Sequence, residues 1–391
     1  MDAKTFRSEV AHELANILTY WQEHTIDKEH GGFYGKITAD DTIIKDAEKG
    51  LVLNSRILWT FSAAYIHQPK PVYKEIAQRA YNYLLTYFWD KQYSGGYWSV
   101  DYQGNAKQTH KQIYGQGFML YGFSEYYRAF HDKHALDKAI ELFQIIEQVA
   151  FDKKYGGYYE VATADWKIIQ DTVITQGKDE QKKSMNTHLH IIEPYTNLYR
   201  VWKNEYLAKQ IKGLLYEFTT HIVDERTYTQ HLFFADNWAV QSDIVSFGHD
   251  IEASWLLVEA AEVLGDKPLL EKIKQLSVRI AQAATKGLDK DGGMFNEKDS
   301  KHLNKEKHWW VQAEAMVGFL NAYEISKRKE FLDYSMASWK FIKEALITPS
   351  GEWYWGLDAN NQPMKGQDKA GFWKCPYHNA RACMEVIRRL S

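Results

Sequence analysis

The chain has 391 residues, of which 45% are hydrophobic and 25% charged, with a formal net charge of −3. Lysines and arginines are interspersed with acids and form no basic block, which argues against a nucleic-acid partner, and no apolar run reaches membrane-spanning length. Cys375 and Cys383 are too few for a disulfide framework and lack the paired spacing of a zinc site, so a reducing, cytoplasmic setting is expected.

The N-terminus, Met1-Asp2-Ala3-Lys4, leads into an amphipathic segment over 5–24 rather than an apolar signal core. A turn motif follows, Asp27-Lys28-Glu29-His30-Gly31-Gly32-Phe33-Tyr34, and it returns at Asp90-Lys91-Gln92-Tyr93-Ser94-Gly95-Gly96-Tyr97-Trp98 and at Asp152-Lys153-Lys154-Tyr155-Gly156-Gly157-Tyr158-Tyr159. Further copies stand at Asp289-Lys290-Asp291-Gly292-Gly293-Met294-Phe295 and, worn, at Pro349-Ser350-Gly351-Glu352-Trp353. The segment from Asp224 to Trp238 fills the one gap without a glycine pair. The period is about sixty residues, and each copy reads as a tight turn before a short extended aromatic piece.

Two helical patterns occupy each period. Segments near 5–24, 71–89, 132–150, 204–223, 266–286 and 327–346 are amphipathic and predict outer helices. Segments near 51–66, 112–130, 186–203, 248–264, 308–323 and 376–390 carry apolar and small residues around their circumference and predict inner helices. With no linker or composition break, the expectation is an all-α chain with one domain over 1–391. It is a toroid of six helical hairpins, an (α/α)6 barrel, with an open superhelix as the alternative.

Unusual polar residues collect at the starts of the predicted inner helices: Arg56, Tyr114, Asn186 with His190, His249 with Glu252, Trp309 and Trp310 with Glu314, and His378 after Pro376. Parallel inner helices in a ring bring these starts together into one pocket. His249 and Glu252 stand three apart, so the carboxylate is placed to orient or charge-stabilise the imidazole. His188 and His190 stand two apart, so at most one faces the pocket. Glu193 is read as pointing elsewhere, which leaves the pair without a third metal ligand, and no metal is expected. Arg56, buried among apolar neighbours, calls for a negative charge that a developing enediolate would supply. Glu314 is expected to accept from a sugar hydroxyl or to pair with Arg56. The 14 Trp and 26 Tyr suit a carbohydrate cleft, although a large helical core also absorbs aromatics.

Asn186-Thr187-His188-Leu189-His190, Ser246-Phe247-Gly248-His249-Asp250-Ile251-Glu252-Ala253-Ser254-Trp255, His308-Trp309-Trp310-Val311-Gln312-Ala313-Glu314 and Phe372-Trp373-Lys374-Cys375-Pro376-Tyr377-His378-Asn379 resemble the motifs of the cellobiose 2-epimerase branch of the N-acylglucosamine 2-epimerase superfamily. The resemblance spans essentially the whole chain. It implies an (α/α)6 barrel that epimerises C2 of the reducing-end glucose of β-1,4-linked disaccharides without an added cofactor. By position it assigns His249 and His378 as the acid/base pair, Arg56 to the enediolate, Glu252 to tuning His249, and His190 with Asn186 near O1 or the ring oxygen. Tyr114, Trp309, Trp310, Glu314 and Trp373 fall among the sugar contacts. The expected partner is a small disaccharide, and the expected state a monomer or weak homodimer. The alternatives are an aldose–ketose isomerase of the mannose type or an N-acylglucosamine 2-epimerase on the same scaffold. In other classes, a glycoside hydrolase would use Glu252 and Glu314 as its carboxylates, and a non-catalytic sugar-binding protein would use only the aromatics.

Overall fold

The computed structural model describes residues 2–169 and 181–391. Among these the chain forms twelve α-helices: α1 (Ala3–His24), α2 (Leu51–His67), α3 (Pro71–Tyr83), α4 (Ile113–Phe130), α5 (Lys133–Val149), α6 (Met185–Val201), α7 (Glu205–Glu217), α8 (Phe247–Leu264), α9 (Lys267–Ala284), α10 (Trp309–Ser326), α11 (Lys329–Phe341) and α12 (Tyr377–Arg389). None of these is long and apolar enough to cross a membrane.

Burial separates them into two shells. In α2 every residue from Leu51 to Ala64 is buried, so no face is left for water. In α9 the buried residues Ile273, Ser277, Ile280, Ala281, Ala283 and Ala284 fall on one side of the helix. The even-numbered helices therefore line the inside and the odd-numbered ones cover them. Around the inside, α2 packs on α4, α4 on α6, α6 on α8, α8 on α10, α10 on α12, and α12 returns to α2. The ring is closed, which decides for the (α/α)6 barrel over the open superhelix.

Three outer helices reach their expected lengths in two pieces. α3, α7 and α11 are each continued by a π-helical turn, at Leu84–Phe88, Phe218–Ile222 and Ile342–Leu346. A widened turn leaves the apolar periodicity almost intact, so the sequence pattern runs through it.

The glycine-pair motifs are tight turns that do a second job. In the first, Asp27 Oδ1 accepts the backbone N–H groups of Glu29 and His30, and Gly31 and Gly32 take φ values of 79° and 61°. Where the pair is missing, Asp224 accepts from Arg226 and Thr227 and Tyr228 itself adopts a φ of 58°. The other carboxylate oxygen of the motif reaches a buried lysine just ahead of the next inner helix. Lys49 meets Asp27 at 2.7 Å, Lys111 meets Asp90 at 2.8 Å, Lys183 meets Asp152 at 2.8 Å and Lys307 meets Asp289 at 2.7 Å. In the worn copy Glu352 takes the part of the aspartate, 2.9 Å from Lys374. Ahead of α8 the equivalent residue is Val245.

Short strands complete this rim. Lys49–Gly50 pairs with Ser99–Val100, Lys111–Gln112 with Val161–Ala162, and so on round the ring, until Asp368–Ala370 pairs with Ile37–Thr38 and closes it. The entry of each inner helix is thus fixed by a strand pair, and five of the six by a buried ion pair as well.

Candidate active site

The sixth residues of α2, α4, α6, α8 and α10 are Arg56, Phe118, His190, Glu252 and Glu314. They form one level of the barrel. The Arg56 guanidinium lies 4.1 Å from the Phe118 ring centre, Phe118 lies 5.2 Å from the His190 ring, and donor atoms of His190 and Glu252, then of Glu252 and Glu314, approach within 4.8 Å. The ring of Tyr377, the first residue of α12, lies 4.9 Å from the Arg56 guanidinium and closes the circle. One turn nearer the mouth stand Tyr114, Asn186, His249, Trp310 and His378, each at the second or third position of its helix. The residues expected to meet at the helix starts do meet.

Three histidines face this space. His378 Nδ1 lies 2.7 Å from Glu314 Oε1, and His190 Nδ1 lies 3.1 Å from Glu193 Oε2. Both carboxylates are ionised, so each Nδ1 carries the proton and each Nε2 offers a lone pair. His249 Nδ1 is held at 2.8 Å by Ser246 Oγ, the N-cap of α8. Burial lowers the pKa of His249 to about 3, with His190 and His378 adding to the effect, and lowers that of His378 to about 3 against the pull of Glu314. Burial likewise lowers His190 despite Glu193. All three rings are neutral near pH 7.

His190 rather than His188 is the pocket residue of the pair. His188 is fully buried, donating from Nδ1 to the Ser184 carbonyl at 2.7 Å and accepting the Tyr158 N–H at Nε2 at 3.0 Å. Pro194 lies inside α6, so the His190 carbonyl has no intrahelical partner. Gly117 of α4 packs against that carbonyl, where a β-carbon would come within 2.6 Å of the oxygen.

The carboxylates depart from expectation. Glu252 does not hold His249. Its Oε1 accepts from Arg381 Nη2 at 2.9 Å, while Oε2 is buried without a partner, because the imidazole turns Nδ1 back to the N-cap serine. Burial, then the neighbouring charge of Glu314, push the Glu252 carboxyl well above the usual carboxylate range, against the pull of Arg381. Glu314 is neither a partner of Arg56 nor open to a sugar. It is fully buried and accepts from His378, from Arg381 at 2.7 Å and from Trp255 Nε1 at 2.9 Å. Burial would raise its pKa, but Arg381 and His378 overcome this and keep it ionised. Glu193, read from the sequence as pointing elsewhere, is the partner of His190 and also accepts from Tyr377 and Arg381.

Arg56 is 3% exposed and donates to Tyr114 Oη at 2.8 Å, and its Nε has no partner. Among the described residues no carboxylate pairs with it. Trp310 leans on both His249 and His378, ring centres 4.7 and 5.8 Å away, and Gly248 makes room for it, since a β-carbon there would meet the indole at 2.5 Å. Trp309 belongs to the core instead, 3% exposed and 4.6 Å from Trp355, because adjacent helix positions point about 100° apart. Trp373 is 38% exposed at the mouth, 6.0 Å from Tyr114, and Asn186 is partly exposed one turn before His190. Arg381, Ser246 and Trp255 were given no role by the sequence, and Glu193 was weighed only as a metal ligand. Arg381 and Glu193 were findable, since each stands three residues from a pocket histidine on the same helix.

Two sets of donor atoms lie within 4.8 Å of one another: His190, His249 and Glu252, and Glu252, Glu314 and His378. They suit a divalent cation poorly. Glu314 is saturated by three donors, burial and Glu314 raise the Glu252 carboxyl pKa, and the guanidinium of Arg381 already occupies the negative side of the cluster.

A closed six-hairpin ring with imidazoles, a guanidinium and aromatic rings gathered at one mouth defines an (α/α)6 barrel of the sugar-epimerase class. Residues 31–382 match the N-acylglucosamine 2-epimerase (GlcNAc 2-epimerase) family, and the chain belongs to it. It is 47% identical to a cellobiose 2-epimerase of Bacteroides fragilis, over 97% of this chain and 98% of that one, and 39% identical to one of Dictyoglomus turgidum along the full length of both. The structure of a cellobiose 2-epimerase from Bacillus thermoamylovorans superposes with a TM-score of 0.95 at 41% identity, covering 99% of this chain and 100% of that one.

Proposed function

We propose that this chain epimerises C2 of the reducing-end sugar of β-1,4-linked disaccharides such as cellobiose and lactose, converting glucose to mannose. The observation that carries the reading is the pair of neutral imidazoles from α8 and α12. Both lean on Trp310 with Nδ1 engaged, beside a buried guanidinium without a carboxylate. The relatives that bear the name cellobiose 2-epimerase support the choice of substrate.

Once the ring of the terminal sugar is open, the C1 carbonyl acidifies the C2 proton. One histidine takes that proton at Nε2, and the electron pair moves into a cis-enediolate. The other histidine, neutral at rest, takes up a solvent proton at Nε2 beside the negative charge of the enediolate and delivers it to C2 from the opposite face, while the first returns its proton to solvent. Reversal exchanges their roles. Arg56 receives the negative charge of the enediolate, which offsets the cost of its own burial. His190 and Asn186 sit near O1 or the ring oxygen, and Tyr114, Trp310 and Trp373 contact the sugars. Every proton is moved by an imidazole, and the scheme calls for no metal or cofactor. The working unit is the whole ring, 1–391, as a monomer or weak homodimer in the cytoplasm.

The test is turnover of cellobiose in D₂O, followed by NMR. The epimer should carry deuterium at C2, and His249→Ala should lower turnover by about 10²–10⁴-fold with the helical circular dichroism unchanged. Product without deuterium at C2 would sink the two-histidine scheme. A substrate panel with mannose and N-acetylmannosamine separates this reading from an aldose–ketose isomerase or an N-acylhexosamine epimerase. Release of free glucose would indicate a hydrolase, but Glu252 and Glu314 are tied to one guanidinium and do not flank an open cleft.

A further inference from the structure

Arg381 is the fifth residue of α12, 3% exposed, and the reading of the site above gives it no part. Its Nη1 donates to Glu193 Oε1 and to Tyr377 Oη. Its Nη2 donates to Glu252 Oε1 at 2.9 Å and to Glu314 Oε1 at 2.7 Å. The guanidinium faces rest on Tyr377 and Trp255, 4.3 and 4.8 Å from the ring centres. One side chain therefore ties α6, α8 and α10 to α12 directly beneath the histidines. Two of its carboxylates, Glu193 and Glu314, are the ones that hold His190 and His378 by Nδ1.

We propose that Arg381 is a positioning residue for the proton transfers: its forked guanidinium fixes Glu193 and Glu314 against His190 and His378, and Glu252 between them. The proposal rests on the reading of these histidines as groups of the reaction. A planar cation with donors on two nitrogens reaches three carboxylates from three helices at once, which a lysine ammonium in the same place does not.

Its charge acts on the rings as well. Arg381 and Arg56 of α2 disfavour the imidazolium at His190 and His378, while Glu193 and Glu314 favour it. His249 of α8 is neutral and adds no charge. Tyr114 and Tyr121 of α4, Tyr377 of α12 and Cys375 before it are all neutral, their pKa values raised by burial. Glu259 of α8 lies further down beside Arg200. With Arg381 neutralised, the Glu193–His190 and Glu314–His378 pairs each lose a neighbouring positive charge and bind their next proton more tightly. His190 and His378 become more basic, and the base form is lost at a higher pH as pH falls.

Two variants separate charge from geometry. Arg381→Met should move the acid limb of the kcat/KM profile upward by about one pH unit or more. Arg381→Lys keeps the charge and should leave the limb close to that of the parent. Its kcat should nonetheless fall by about 10²-fold at little-changed KM, because one ammonium cannot hold three carboxylates in place. The same shift should be read without turnover by NMR titration of the His190 and His378 ring protons in Arg381→Met. If the parent protein does not convert cellobiose, the functional reading falls and the NMR titration still decides on Arg381. An unmoved limb and unmoved histidine titration in Arg381→Met would overturn the proposal, as would full kcat in Arg381→Lys. Loss of helical circular dichroism in both variants would assign Arg381 to the scaffold alone and overturn it too.

Discussion

Replacing Glu314 by glutamine keeps the volume of the side chain and removes its charge. The native carboxylate accepts from three donors: His378 Nδ1, Arg381 Nη2 and Trp255 Nε1. An amide has one acceptor oxygen, so its NH₂ group must face at least one of these donors. If it faces His378, the imidazole has to change tautomer, presenting N–H rather than a lone pair from Nε2 to the substrate. If it faces Trp255, the indole N–H is left buried and unpaired. Loss of one hydrogen bond to a charged group costs about 1.5–3 kcal/mol, which is about 10–150-fold in rate. The tautomer change adds the loss of a positioned base, about 10²–10⁴-fold. We therefore expect Glu314→Gln to lower kcat by about 10²–10⁴-fold. KM should be nearly unchanged, because the side chain is sealed from the pocket. The assay is initial-rate epimerisation of cellobiose, with C2 proton exchange in D₂O measured separately for each epimer. The face served by His378 should stop exchanging, while the face served by His249 continues. A variant with kcat close to that of the parent would show that the Glu314–His378 contact has no part in the reaction.

Three further outcomes follow from the same geometry. Arg56→Lys should fold normally and lose most of its kcat, since an ammonium does not reproduce the planar donor pair presented beside Tyr114; unchanged turnover would make Arg56 a packing residue. With His249 and His378 both lowered to about 3, the bases are free above that value and are lost only as pH falls through it, so kcat/KM should stay level from pH 8 to about 5. An acid limb centred near the ordinary histidine value of 6.5 would contradict the burial argument. Lys111→Ala leaves Asp90 as a buried, uncompensated charge and should cost about 3–5 kcal/mol in urea unfolding. Lys111→Met combined with Asp90→Asn should recover much of that loss, and failure to do so would mean that the pair matters by more than its charge.

The shells of the barrel were legible because they rest on local periodicity. The amphipathic stretch at 266–286 becomes α9, and the apolar stretch at 248–264 becomes α8. Closure was not, because it depends on α12 meeting α2 and on Ile37–Thr38 pairing with Asp368–Ala370, contacts between the far ends of the chain that no local pattern encodes. At the site, position on the helix was readable and side-chain direction was not. The three-residue spacing that suggested a His249–Glu252 contact is realised at His190 and Glu193, because Ser246 competes for His249 and nothing competes for His190. Glu314 looked available for a sugar because its three donors come from α8 and α12, remote in sequence. The lysines ahead of the inner helices were in plain view, but a buried Lys–Asp pair joins residues 18 to 31 apart and leaves no periodic trace.

Val245 stands where the other inner helices have a buried lysine, and it introduces α8, the helix that carries His249. Without an ammonium to meet, the partly buried Asp224 lies within 3.4 Å of Arg226 and 3.7 Å of His231, and the entry to α8 is held by the pairing of Val245–Ser246 with Glu297–Lys298 and by the bonds of Gln230 to Asp250, with no lysine–carboxylate pair. Breaking that pairing strands no buried charge, whereas the same opening at Lys49, Lys111, Lys183, Lys307 or Lys374 would strand one. Local opening is therefore cheapest here, and the amides around Val245 should exchange with solvent deuterium faster than those around Lys111 or Lys183. The rim yields most readily at the joint beside His249, which gives the base on α8 more freedom to adjust to a ring-opened sugar than its counterpart on α12.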